Sequence, residues 1–187
     1  MTAVTFTEEL GPRASTGNQT PYKWTLGIRL LTNQIPRAAV RSTLTYQVHS
    51  RLQLGLEYNP RASEVAPLMN LVILTETRRR PAWMLGTSTD RIGTPKGQAF
   101  FSTFSKNLKE ATGLPIAPYV GAAFGTYEHR LRPIGGLTIF LPKGFSLIAT
   151  FNGVQVHPVL NFTHGRHALS LVMVKGRDPG MSYSVRF

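Results

Sequence analysis

His157, Asn161 and Ser170 are the residue types that a nucleophilic hydrolase uses as base, orienter and nucleophile. They fall in two segments, 154–162 and 167–175, which the short "THGR" at 163–166 would join as a hairpin, so they could share one wall. A second cluster, "HGRH" at 164–167, sets His164 and His167 three apart, but a closed metal site needs further ligands, so no metal is expected. The glycines of "GAAFG" at 121–125 and of "GTSTDRIGTPKG" at 86–97 lack the Gly-x-x-x-x-Gly-Lys-Ser/Thr order and the following helix of a phosphate loop, so no cofactor is expected. The chemistry that recurs along the chain is cationic. Lys23, Arg29, Arg41, Arg132 and Arg186 stand on the polar side of alternating segments, and Glu57 is the clearest acid among them.

The elements that would position these residues read as strands. Tyr22, Trp24, Leu26, Ile28 and Leu30 alternate with Lys23, Thr25, Gly27 and Arg29, and Leu52, Leu54, Leu56 and Tyr58 alternate with Gln53, Gly55 and Glu57. The same two-residue period runs through 145–151 and 154–162, and it closes the sequence in "MSYSVRF", where Met181, Tyr183, Val185 and Phe187 share one side. Turn clusters separate the runs: "HSR" at 49–51, "TRRRP" at 77–81, "LPKG" at 141–144 and "THGR" are short, while "NPRASEVAP" at 59–67 and "TDRIGTPKG" at 89–97 are longer. Strands are expected near 22–32, 38–47, 51–58, 67–76, 82–89, 98–107, 117–127, 130–140, 144–152, 154–162, 167–175 and 180–187. Pro133 and Pro158 leave ten as an alternative to twelve. The single helical candidate is "SKNLKEATG" at 105–113.

Composition limits the answers. A chain of 187 residues suits one domain, here 22–187, preceded by a flexible or plugging segment over 1–21. Lysines and arginines number 21 against 9 acids, a net charge of +12, which makes polyanions the natural partners. No cysteine is present, so disulfides and thiolate metal sites are excluded. The longest apolar run, "APLMNLVILT" at 66–75, is about half of what a membrane-spanning helix requires.

Apolar alternation on every strand has two solutions: a soluble sandwich whose faces meet across a core, or a membrane barrel whose faces point outward into lipid. Aromatics near strand ends (Tyr22, Trp24, Tyr46, Tyr58, Trp83, Tyr119, Tyr127, Phe151, Phe162 and Phe187) suit an interfacial girdle and favour the barrel. The ending Met181-x-Tyr183-x-Val185-x-Phe187 resembles the C-terminal assembly signal of bacterial outer-membrane β-barrels. "LQLGLEYNP", "APYVGAAFGTYEHR" and "PIGGLTIFLPKGFSLIATFNG" are similar to hairpins of that broad class. The resemblance implies an all-β, antiparallel, up-and-down transmembrane barrel of about twelve strands in a bacterial outer membrane. It also implies membrane lipids, the outer-membrane assembly machinery and further envelope subunits as partners. The first residues show no basic stretch followed by an apolar one, so the chain is read as a processed or recombinant form, with a chain never exported as the alternative.

In such a barrel Lys23, Arg29, Arg41, Arg132 and Arg186 would face the lumen with Glu57, giving either a small passive pore that prefers anions or a plugged, structural barrel anchoring an envelope complex. Arg78, Arg79 and Arg80 would meet anionic headgroups or water. The rival class is a soluble β-sandwich, a capsid-like subunit binding nucleic acid; residues 1–21, with one arginine and two glutamates, lack the basic arm such a subunit uses, so nucleic acid is not the expected partner. A lipid-modifying hydrolase on a barrel is the third reading. His157, Asn161 and Ser170 phase with the polar side, whereas barrel-borne lipid hydrolases direct their catalytic groups outward.

Overall fold

The computed structural model describes residues 22–187; the flexible or plugging segment expected over 1–21 lies outside them. Twelve strands form one closed antiparallel barrel in which each pairs with its sequence neighbours, and the first pairs with the last. They are β1 Trp24–Leu31, β2 Val40–His49, β3 Leu52–Asn59, β4 Glu64–Leu74, β5 Ala82–Thr89, β6 Gln98–Ser105, β7 Ile116–Gly125, β8 Arg130–Phe140, β9 Phe145–Phe151, β10 Val156–His164, β11 His167–Val174 and β12 Asp178–Arg186. This is the up-and-down barrel of the sequence reading, with twelve strands and not ten. Pro133 and Pro158 sit inside β8 and β10 without breaking them. A strand residue points its N–H toward only one neighbouring strand, so proline removes one ladder bond and leaves the other side intact.

Closure depends on the two terminal strands. Leu26, Ile28 and Leu30 of β1 stand opposite Val185, Tyr183 and Met181 of β12. Beyond the register, Trp24 and Phe187 exchange a reciprocal pair of backbone hydrogen bonds, each 3.0 Å. The ladder is interrupted between Gln47 and His49 against β3, and between Val72 and Leu74 against β5, the irregularities that barrel walls use to bend.

Because the side-chain period is two, a register fixed on one strand sorts the residues of the whole wall. Leu26, Leu44, Leu56, Leu147, Leu160, Leu171 and Tyr183 lie on the outside and are all exposed, while Thr43, Thr45, Glu57, Thr103, Thr138, Asn161 and Ser170 face inward and are buried. The sandwich alternative is thereby excluded: the apolar faces do not meet across a core, and the barrel turns them outward. No helix among the described residues is long and apolar enough to cross a membrane, which says nothing of strands.

The connections define two rims. Residues 50–51, 75–81, 106–115, 141–144 and 165–166 lie at the end where the barrel begins and finishes, here the terminal rim; 32–39, 60–63, 90–97, 126–129, 152–155 and 175–177 form the distal rim. The expected long loop at 59–67 shrinks to 60–63, since Glu64 already opens β4. The longest connection is 106–115, where the expected helix is one turn, α2 Lys109–Thr112, ended by Gly113 in the left-handed region at φ 77°. A second single turn, α1 Pro36–Ala39, was not signalled by any periodicity.

Candidate functional site

The lumen has three sectors. Under β2 to β5 it is polar: Arg41 Nη2 meets Glu57 Oε2 at 2.6 Å, and Glu57 Oε1 accepts from Thr89 Oγ1 at 2.6 Å and Asn59 Nδ2 at 3.0 Å. Gln53 Nε2 donates to Thr45 Oγ1 at 3.0 Å, and Asn70 Nδ2 donates to Gln53 Oε1 at 3.1 Å, so the network continues along the wall. Arg41 and Glu57 are both buried, with Glu57 1 % exposed. An ion pair so withdrawn from water keeps its charges only when each is neutralised and hydrogen-bonded, as here.

Toward the distal ends of β1, β10 and β11 the lumen has an apolar part: Leu31, Ile148, Val159, Val172 and Val174 form one buried cluster, and Ile92 of the 90–97 connection packs against it. A loop residue therefore reaches into the barrel. Arg37 of α1 holds that loop down. Its Nη1 donates to Thr94 O at 3.0 Å and Thr94 Oγ1 at 2.9 Å, its Nη2 donates to Gly97 O at 2.8 Å, and its Nε pairs with Glu64 at 2.7 Å. A planar guanidinium with fixed forks suits this task of tying two connections to the start of β4.

Between these sectors, under β5 to β9, lies a cavity of about 150 Å³ lined by Ala99, Phe101, Tyr119, Ala123, Ile134 and Thr150, with Asp90, Arg91, Glu128, Arg130 and Arg132 toward the distal rim. Two inward glycines leave space for the rings: a Cβ on Gly86 would lie 2.3 Å from Phe101 Cζ, and one on Gly136 would lie 2.5 Å from Tyr119 Cε1. Each ring rests where a side chain of the wall would otherwise stand. At the distal end Glu128 bridges two arginines, accepting from Arg91 Nη2 at 2.5 Å and from Arg132 Nη2 at 2.7 Å. Those two bonds hold the Glu128 carboxyl below the usual glutamate range. The space is about that of a cavity which accepts one benzene ring, and its polar end could meet a small acid.

The structure places the sequence candidates as follows. Arg41 and Glu57 form the central pair, Arg132 belongs to the Glu128 bridge, and Arg29 and Arg186 are half-buried on inward positions. Lys23 is exposed at the terminal rim. Met181, Tyr183 and Val185 face outward on the closing strand, and Phe187 is exposed beyond it. Tyr119, expected in the outer girdle, is instead inward and 5 % exposed, because Gly136 makes room for it.

His157, Asn161 and Ser170 do not assemble a hydrolytic set. Ser170 Oγ donates to Asn161 Oδ1 at 2.8 Å, which in turn reaches Thr163 and Ser146. His157 stands four residues from Asn161 along β10, roughly 13 Å at strand rise. Its ring is held between Asn152 Nδ2, 2.8 Å from Nε2, and the Lys175 backbone N–H, which donates to Nδ1 at 3.2 Å. The base is occupied with tying down distal connections and touches no nucleophile. Among the described residues no three histidine or acidic side chains gather as metal ligands.

Sequence reasoning missed Arg37, Thr89, Arg91 and Glu128. Each joins segments that the chain order separates, such as Arg37 and Thr94, which lie 57 residues apart. The one available signal was the concentration of charge in "TDRIG" and "TYEHR" beside strands already assigned.

The outer wall carries its own pattern near the terminal rim. Trp24 and Tyr46 have ring centroids 4.7 Å apart, Trp83 and Phe104 5.9 Å, Phe145 and Phe162 4.7 Å, and His167 and Tyr183 5.9 Å. His167 Nδ1 is also within 2.6 Å of the Tyr183 hydroxyl. Tyr58, Phe100, Phe124 and Phe151 stand near the distal ends of their strands. Compared with known proteins, the chain matches no family model, and no curated protein is similar enough to count as a relative.

Proposed function

We propose that this chain is a membrane-spanning barrel of the bacterial outer-membrane class, serving to anchor an envelope assembly and not as a wide channel. The observation that carries the reading is the inversion of the wall: apolar side chains stand outside a closed barrel, and the buried ion pair stands inside. Closure leaves the outer face no second sheet to pack on, so lipid is the environment that relieves it. Strands of 7 to 11 residues fit a tilted crossing, and the aromatics near both strand ends fit two interfaces. Burial of inward residues and neutralisation of Arg41 by Glu57 support the anchoring role over free passage. Met181, Tyr183, Val185 and Phe187, paired along β1, would present the last strand to the assembly machinery.

The test is gel mobility of unboiled against boiled protein, followed by removal of detergent. A fast unboiled band that precipitates without detergent supports the barrel in lipid; a monodisperse protein in plain buffer defeats it. A second reading, a small anion-preferring pore, is favoured by Arg29 and Arg186, cations on inward positions that keep partial access to solvent. Bilayer recordings separate the two: Arg29→Glu with Arg132→Glu should reverse ion preference if current flows, and the anchoring reading expects no steady current.

A further inference from the structure

The terminal rim carries more unpaired cations than the distal rim, and they stand beside the ring pairs of the outer wall. Its connections hold eight lysines and arginines against Glu76 and Glu110. Only Lys106 reaches a carboxylate, Glu76, at 3.5 Å; Lys106 Nζ also donates to the carbonyls of Thr77 and Arg78. Burial raises Glu76 above the ordinary glutamate value, and the Asn107 N–H and Lys106 of the neighbouring 106–115 connection pull it back, so this acid is committed to joining two loops. Arg51, Arg78, Arg79, Lys109, Lys143 and Arg166 are exposed and form no ion pair among the described residues. The distal connections hold six lysines and arginines: Arg37 and Arg91 pair with Glu64 and Glu128, and four, Arg61, Lys96, Lys175 and Arg177, are exposed with no ion pair among the described residues.

These free cations lie just beyond the four ring pairs of the outer wall. In a bilayer, tryptophan and tyrosine settle at headgroup depth, so side chains one turn further out stand among the headgroups themselves. An exposed guanidinium or ammonium there gains about 1 kcal/mol from an anionic surface, which corresponds to roughly fivefold in affinity.

Resting on the membrane reading above, we propose that the terminal rim is a binding surface for anionic phospholipid headgroups, selecting phosphatidylglycerol-type lipids over zwitterionic ones. Several arginines at one level favour phosphate because the guanidinium fork matches its oxygens two at a time.

The only tryptophans, Trp24 and Trp83, both lie at this rim, so their fluorescence reports on its lipid neighbours. The barrel is reconstituted in vesicles of phosphatidylcholine mixed with phosphatidylglycerol, with the bromine quencher placed on one lipid or the other. The expected result is roughly fivefold or greater preference for brominated phosphatidylglycerol, falling in high salt. Replacing Arg51, Arg78, Arg79, Lys109, Lys143 and Arg166 together by glutamine should abolish most of it, while replacing Arg61, Lys96, Lys175 and Arg177 on the distal rim should leave it unchanged. Equal quenching by both lipids in the unaltered chain, or a preference indifferent to the rim substitutions, would overturn the proposal. Absence of quenching by either lipid would instead overturn the membrane reading beneath it. Rim-dependent capture of a DNA duplex by the detergent-folded barrel, with no headgroup preference, would overturn it in favour of nucleic acid.

Discussion

On β1, Leu26, Ile28 and Leu30 stand on the outer wall, 40 to 47 % exposed, while Gly27, Arg29 and Leu31 between them face the lumen, where Leu31 is 6 % exposed. On β3 the same comparison sets Leu54, Leu56 and Tyr58 outside against Gln53, Glu57 and Asn59 inside. The two faces differ in how their needs are met. The outer leucines, isoleucines and valines have no polar group to satisfy, whereas each charged residue of the central pair has a named partner. With lipid around the barrel, as proposed, errors on the two faces should fail for opposite reasons: a charge is costly outside, and the loss of a charge is costly inside.

The sharpest way to break that comparison is Glu57→Leu. It leaves Arg41 buried without its carboxylate and should cost about 3–5 kcal/mol in urea unfolding from micelles. Removing both partners, Arg41→Leu with Glu57→Leu, should restore most of the loss. A single-variant cost below about 1 kcal/mol would mean that water reaches and solvates Arg41.

Next in size is Leu171→Arg on the outer wall, between Leu160 and Met181. In vesicles it should destabilise the barrel by about 2–4 kcal/mol, because the guanidinium would face hydrocarbon. The same change on a wall facing water would stay within about 0.5 kcal/mol, and that outcome would remove the distinction between the faces.

The smallest effect concerns the distal rim. Glu128 has its folded value depressed by Arg91 and Arg132, so its contribution is present above the unfolded glutamate value and is lost as pH falls through the depressed folded one. Hydrogen exchange in 90–97 and 126–129 should accelerate as pH is lowered across that window, after correction for intrinsic exchange. Glu128→Gln should exchange faster at neutral pH and lose the pH dependence, while exchange in the β-strands stays unchanged.

Much of the wall was legible in the sequence because alternation is local: β5 and β8 begin and end at the expected residues, 82–89 and 130–140. Tyr119 shows where the reading slipped. Its phase, shared with Ala117, Gly121 and Ala123, pointed inward, but its residue type suggested the girdle; phase prevailed, since Gly136 sits opposite and accepts the ring. The lumen was less legible. Arg41 and Glu57 could be assigned to the inside, but their pairing depends on the register between β2 and β3 and on Thr89 arriving from β5. The Arg37 latch was invisible for the same reason: its partners Thr94, Gly97 and Glu64 lie far off in sequence, and two of its acceptors are backbone carbonyls, which leave no mark in side-chain spelling.

The pairing of β1 with β12 also sets the order of events during folding. Hairpins from β1 to β11 can form between neighbours as they are made, but each partial sheet keeps two unpaired edges until β12 arrives to join them. Contacts such as Leu26 with Val185 span nearly the whole chain, so the step that seals the wall carries the largest loop-closure cost and comes late. An unfinished chain therefore presents sticky edges to every other unfinished chain nearby. A helper protein that shielded β1 until β12 arrived would act at the one point where folding and aggregation compete for the same hydrogen bonds.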